Sequence, residues 1–141
     1  MKFIISLALM PVLALAVNTE NPCVHLTYGQ PKVSDQVFCR AGYALGYNHQ
    51  LKSAEWVSYE LYKEITPGVA RQNDFRVDPQ IPVAYQTTPA DYREPVYHMG
   101  HLANSESIDQ SIVANSETFY MSNMVPQLPG HNTAIWKGLE N

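Results

Sequence analysis

Between Thr66 and Pro95 the chain is broken by Pro67-Gly68, Asp78-Pro79 and Pro89, which leaves no room for a long helix or strand through its middle. Each proline removes a backbone donor, and the residue before it is pushed out of the helical region. Phe75, Ile81, Tyr85 and Tyr92 are spread through the same stretch, so it is predicted to be a loop region held in order by apolar side chains. Regular structure must flank it. Strands are predicted over 41–47 and 55–61, the second because Glu55-Trp56-Val57-Ser58-Tyr59-Glu60-Leu61 alternates polar with apolar residues. Pro95 to Leu102 predicts a strand that runs into a glycine-assisted bend at His101.

Further on, Ile108 to Ser116 predicts a short helix. Thr118 to Val125 predicts a strand whose Phe119, Met121, Asn123 and Val125 share one face. Pro126, Pro129 and Gly130 break the chain again, and Ala134 to Glu140 suggests a second helix with Asn132 at or near its N-cap. There are no repeats and no linker-like tract. With 141 residues, of which nine are Tyr, four Phe and two Trp, the chain suits one folded domain.

Met1-Lys2, the apolar run Phe3 to Leu13 and then Ala14-Leu15-Ala16 have the form of a secretory signal, with cleavage expected after Ala16. The expected organisation is therefore a signal peptide over 1–16 and a domain over 17–141, secreted or periplasmic, with no membrane attachment after cleavage. In an oxidising compartment Cys23 and Cys39, the only two cysteines, are expected to pair, the alternative being two buried thiols. Nine basic and 13 acidic residues give a net charge of −4. No global field attracts a polyanion, so any phosphate contact has to be local.

A strand ending in His101, a second strand carrying Asn123 and a helix opening at Asn132 would gather three polar groups around a phosphate. Phosphodiester hydrolysis needs a base to activate water, a role an imidazole fills near neutral pH. It also needs charge neutralisation, which a hard cation such as Mg²⁺ or Mn²⁺ supplies while keeping most of its waters. Asn132 offers an oxygen ligand, and Glu140 lies eight residues on, where it could bond metal-bound waters. Each residue also has a plainer reading: a structural histidine, a turn-bonding Asn123, a capping Asn132 and a solvated Glu140.

The blocks Tyr97 to Ala103 (YHMGHLA), Glu117 to Gln127 (ETFYMSNMVPQ) and Pro129 to Glu140 (PGHNTAIWKGLE) resemble the active-site core of the DNA/RNA non-specific endonucleases. The likeness extends back through Cys39 to Tyr47 (CRAGYALGY), Trp56 to Tyr59 and Phe75 to Tyr92. The resemblance implies an α+β fold with an antiparallel sheet and a ββα-metal (His-Me finger) nuclease core, C-terminally incomplete relative to the family. It also implies metal-dependent hydrolysis of DNA and RNA with little sequence preference. His101 falls on the family's general base, Asn132 on its metal ligand, Asn123 on an Asn that helps shape the catalytic centre, and Glu140 on a glutamate acting through water.

Two departures stand out. His98 and Met99 occupy the Asp and Arg positions of the family's Asp-Arg-Gly-His motif, and the chain stops at Asn141, soon after the metal helix begins. Met99 cannot contact phosphate as arginine would. Arg71, Arg76 and Arg93 are the loop cations available to replace it, with Arg71 the candidate. The rival readings are a catalytically inactive nucleic-acid-binding or interaction protein, and a zinc-binding module using His98 and His101 with His131 and a cysteine.

Overall fold

A computed structural model describes residues 23–62, 68–92, 96–132 and 138. The segment 1–16, Arg93 and Glu140, and with them the expected signal peptide and the body of the second helix, lie outside the described residues. No helix among the described residues is long and apolar enough to cross a membrane.

Three antiparallel strands form the first sheet in the order β1 (Gln36–Cys39), β2 (Ala44–Asn48) and β3 (Ser53–Ser58). The central strand is buried on both faces, and Tyr43, Leu45 and Tyr47 join Phe38, Ala54, Ile81, Ala103, Ile108 and Ala114 in the core. The predicted strands over 41–47 and 55–61 correspond to β2, which starts three residues later and ends one later, and β3, which starts two residues earlier and ends three earlier. Arg40 N–H bonds the Tyr43 carbonyl at 2.7 Å, which closes the β1–β2 turn over positions assigned to strand by pattern alone. Gly46, at a register shift, is needed for a close approach: a Cβ there would lie 2.3 Å from Cε2 of the Trp56 indole. That indole donates through Nε1 to the Lys32 carbonyl at 3.1 Å.

The second sheet is a two-stranded antiparallel ribbon of β4 (His98–His101) and β5 (Met124–Gln127), with His98 opposite Gln127 and His101 opposite Met124. Between them lies the short helix α1 (Ile112–Glu117), capped by Ser111, whose hydroxyl oxygen accepts the Ala114 N–H at 3.1 Å. The predicted strand over 118–125 is corrected. Residues Met121–Asn123 form a 3-10 turn and the strand begins only at Met124. Phe119, Met121 and Asn123 are buried, but so are Thr118, Ser122 and Met124, so burial does not alternate here; local bonds hold the turn, notably Asn123 N–H to the Tyr120 carbonyl at 2.9 Å.

The middle segment is an ordered loop with single 3-10 turns at Val83–Tyr85 and Pro89–Tyr92. Its order rests on more than the apolar residues. Buried Asp78 accepts from Arg40 Nη2 at 2.5 Å and from Ser122 Oγ at 2.6 Å. The Arg40 guanidinium lies 5.0 Å from the Phe38 ring centroid and 4.9 Å from that of Tyr120. One buried ion pair thus ties the end of β1, the loop and the approach to β5 together. Cys23 and Cys39 are joined in a disulfide that fixes the N-terminal segment to β1.

Candidate active site

β4 ends at His101, and the bend after it is held by one side chain. Asn123 Oδ1 accepts the Ala103 N–H at 2.8 Å, while its Nδ2 donates to the Ala103 carbonyl at 2.9 Å and the Thr118 carbonyl at 2.8 Å. Leu102 N–H adds a bond to the Asn123 carbonyl at 3.0 Å. Both amide hydrogens and the amide oxygen are therefore engaged. Asn123 thus clamps the bend that follows His101.

His101 is 7% exposed. Its ring meets Phe119 edge-on at 4.9 Å and Phe75 at 5.8 Å between centroids, and Nε2 is buried with no hydrogen-bond partner. Burial in this aromatic wall, with a smaller contribution from the Arg71 charge, pushes its pKa from 6.5 down to about 3. The imidazole is neutral at physiological pH and keeps a lone pair for a proton. Arg71 is exposed, with its guanidinium 4.8 Å from the Phe119 centroid. It donates to Asn73 Oδ1 at 2.9 Å and to the Ser105 hydroxyl.

A cleft of about 310 Å³ opens beside this group, lined by Phe75, Tyr92, Tyr97, His98, Met99 and Asn132. Asn132 reaches it from a helical turn that begins at Pro129, where the His131 and Asn132 N–H groups both bond the Leu128 carbonyl, at 3.0 and 2.9 Å. Asn132 therefore sits inside the first turn and is not its N-cap, because Pro129 is already in place to start the helix. The cleft brings Asn132 together with His98 and Met99. His101 is not among its described lining residues; Phe75 stands between, facing the cleft and packing against His101.

The zinc reading is corrected by the same geometry. Residues three apart on a strand point to opposite faces, and His98 is exposed while His101 is buried. Both cysteines are in the disulfide, and no group of three metal-ligating side chains occurs among the described residues.

The aromatic cage was missed from sequence. Phe75 and Phe119 read there as ordinary core residues, and nothing in their spacing says that they enclose a histidine. Gln127 was also missed. A Cβ on Gly100 would lie 2.2 Å from Gln127 Cδ, so Gly100 lets this side chain cross the ribbon, and its Oε1 is buried without a hydrogen-bond partner. The Gly100–His101 pair was the available signal.

Residues 23–141 match the family described as DNA/RNA non-specific endonuclease. A Nostoc protein named nuclease is 32% identical over 127 residues, covering 84% of this chain and 46% of that protein. Human mitochondrial endonuclease G is 36% identical over 115 residues, covering 80% of this chain and 38% of the relative. Among solved structures, an EndoG/EndoGI complex aligns with a TM-score of 0.72 at 31% identity, over 82% of this chain and 49% of that one. The chain spans less than half the length of these proteins. With the antiparallel sheets and the ribbon ending at His101, these similarities establish that the chain belongs to the DNA/RNA non-specific endonuclease family, with its α+β ββα-metal nuclease fold.

Proposed function

We propose that this chain is a divalent-metal-dependent endonuclease that hydrolyses phosphodiester bonds in DNA and RNA without sequence preference. The observation that carries the reading is the unpartnered, buried Nε2 of His101 at the end of β4, neutral at physiological pH and beside the exposed Arg71 guanidinium. His101 takes the proton from the attacking water. Arg71 contacts a substrate phosphate in place of the arginine that Met99 replaces, and Asn123 keeps the bend in shape.

The donors near the cleft suit a hard cation. Asn132, which lines the cleft, offers an amide oxygen; the Oε1 of Gln127, the residue opposite His98 on the ribbon, is a buried amide oxygen lacking a partner; and the cysteines are committed to each other. Asn132 would hold Mg²⁺ or Mn²⁺ directly and Glu140 through water, and the ion would neutralise charge developing on the phosphate. The apolar leader and the disulfide support a mature domain from residue 17 in a secreted or periplasmic setting.

Purified protein with Mg²⁺ or Mn²⁺ is expected to degrade both plasmid DNA and RNA, and His101→Ala to abolish cleavage while leaving the circular dichroism spectrum unchanged. A second reading, an inactive nucleic-acid-binding protein, draws on His98 and Met99 in the motif. No cleavage by wild type with either metal, together with retained binding of DNA, would decide for it.

A further inference from the structure

Arg71 lies on a loop, and a loop arginine is a poor phosphate ligand unless something fixes it. The helix α1 contributes one fully buried polar side chain, Asn115. Its Oδ1 accepts the N–H of Gln72 at 3.0 Å, the residue directly after Arg71. Its Nδ2 donates to the carbonyl of Ser105 at 2.8 Å and to that of Ile108 at 3.0 Å. Ser105 is the residue whose hydroxyl accepts from Arg71 Nη1. A single amide thus grips the chain on both sides of the guanidinium, the loop that carries it and the loop that catches it.

We propose that Asn115, acting through Ser105, is the positioning residue for Arg71, holding its charge against Phe119 and beside His101 so that it meets a substrate phosphate in a fixed place. This rests on the reading of Arg71 as a phosphate contact. Arg40 and Arg76 show the alternative arrangement, since each is held by a carboxylate, Asp78 at 2.5 Å and Asp74 at 2.7 Å. Arg71 is held by a hydroxyl and an amide oxygen instead, which fixes its direction without neutralising it. The amide of Asn115 is the neutral clamp such an arrangement requires, because a carboxylate in its place would set a negative charge beside the phosphate.

The test is equilibrium binding of a fluorescein-labelled 12-base-pair DNA duplex to the full chain in EDTA, across a salt series, for wild type, Arg71→Ala, Ser105→Ala, Asn115→Ala and the double variant Arg71→Ala/Asn115→Ala. A lost phosphate contact lowers the slope of log K against log salt by about 0.9. Arg71→Ala and Asn115→Ala are each expected to show that loss with roughly tenfold weaker binding, Ser105→Ala a smaller change in the same direction, and the double variant no more than Arg71→Ala alone. A merely structural asparagine would leave the slope intact or add its effect to that of Arg71→Ala. If Asn115→Ala fails to fold, Ser105→Ala decides. Loss of slope in Arg71→Ala with none in Asn115→Ala and Ser105→Ala overturns the positioning role alone. An unchanged slope in Arg71→Ala overturns the phosphate contact and the positioning role together.

Discussion

An unfolded chain at pH 5 carries a protonated imidazole at position 101, and the folded chain does not. In the folded state burial against Phe119 and Phe75, reinforced by Arg71, holds the His101 pKa down to about 3 from 6.5. Between those values the unfolded state binds one more proton than the native state, so stability rises with pH across the window. The contribution is complete above about pH 6.5 and is lost progressively as pH falls toward 3. The full shift corresponds to about 5 kcal/mol, of which about 2 kcal/mol is lost between pH 7 and pH 5. Urea unfolding of wild type and His101→Leu at those two pH values isolates the effect, because the carboxylates that titrate in acid are common to both proteins. Wild type should lose about 2 kcal/mol more than the variant on going from pH 7 to pH 5. Equal losses in the two proteins, or a His101 ring titrating near 6.5 by NMR, would show that the aromatic wall does not desolvate the imidazole.

Replacing Asn123 by Leu leaves the Ala103 N–H, the Ala103 carbonyl and the Thr118 carbonyl without partners. A loss of about 3 kcal/mol or more in urea unfolding is expected, whereas a loss below about 1 kcal/mol would mean that water reaches those groups. Removing both cysteines as Cys23→Ser/Cys39→Ser opens a loop with a sequence separation of 16 and should cost about 3 kcal/mol, read as a lower thermal midpoint that reductant does not lower further. In kinetics, the acid limb of kcat/KM, which reports the free enzyme, should lie below pH 5, and the limb of kcat should lie above it, because a phosphate on Arg71 removes part of the charge that depresses His101. Coincident limbs would separate Arg71 from the base.

The strands were legible where burial alternates or runs unbroken, as in Glu55 to Ser58, and the loop over 68–92 was legible because proline removes the donors a regular element needs. Less legible was the stretch from Thr118 to Val125. Strand alternation puts Phe119, Met121 and Asn123 on one face there, but Thr118, Ser122 and Met124 are buried together with them, because a 3-10 turn and hydrogen bonds to the polar side chains bury both sets. β1 was not foreseen as a strand. Its four residues are too short for a pattern, and its place is fixed by partners far along the chain, Arg40 by Asp78 and Cys39 by Cys23. At the site, residue types were readable and their surroundings were not: His101 was visible as a candidate base, but its enclosure by two phenylalanines depends on a loop and a turn that meet only in the fold.

That enclosure bears on how an acidic chain could handle the proposed polyanionic substrate. Of the described arginines, Arg40 is buried against Asp78 and Arg76 is bonded to Asp74, so neither offers a free charge at the surface. Arg71 keeps its charge because a hydroxyl and an amide oxygen orient it. The same charge lowers the basicity of His101 in the empty site. In the proposed reaction a phosphate on Arg71 would remove that smaller part of the depression, while the larger part, from burial, would remain. On that proposal, Met99 at the motif's arginine position would not remove cationic recognition from the site. The task would pass to Arg71 on another loop, which is bonded to the Ser105 hydroxyl, with Asn115 holding the Ser105 carbonyl, and whose guanidinium packs on the Phe119 ring that meets His101.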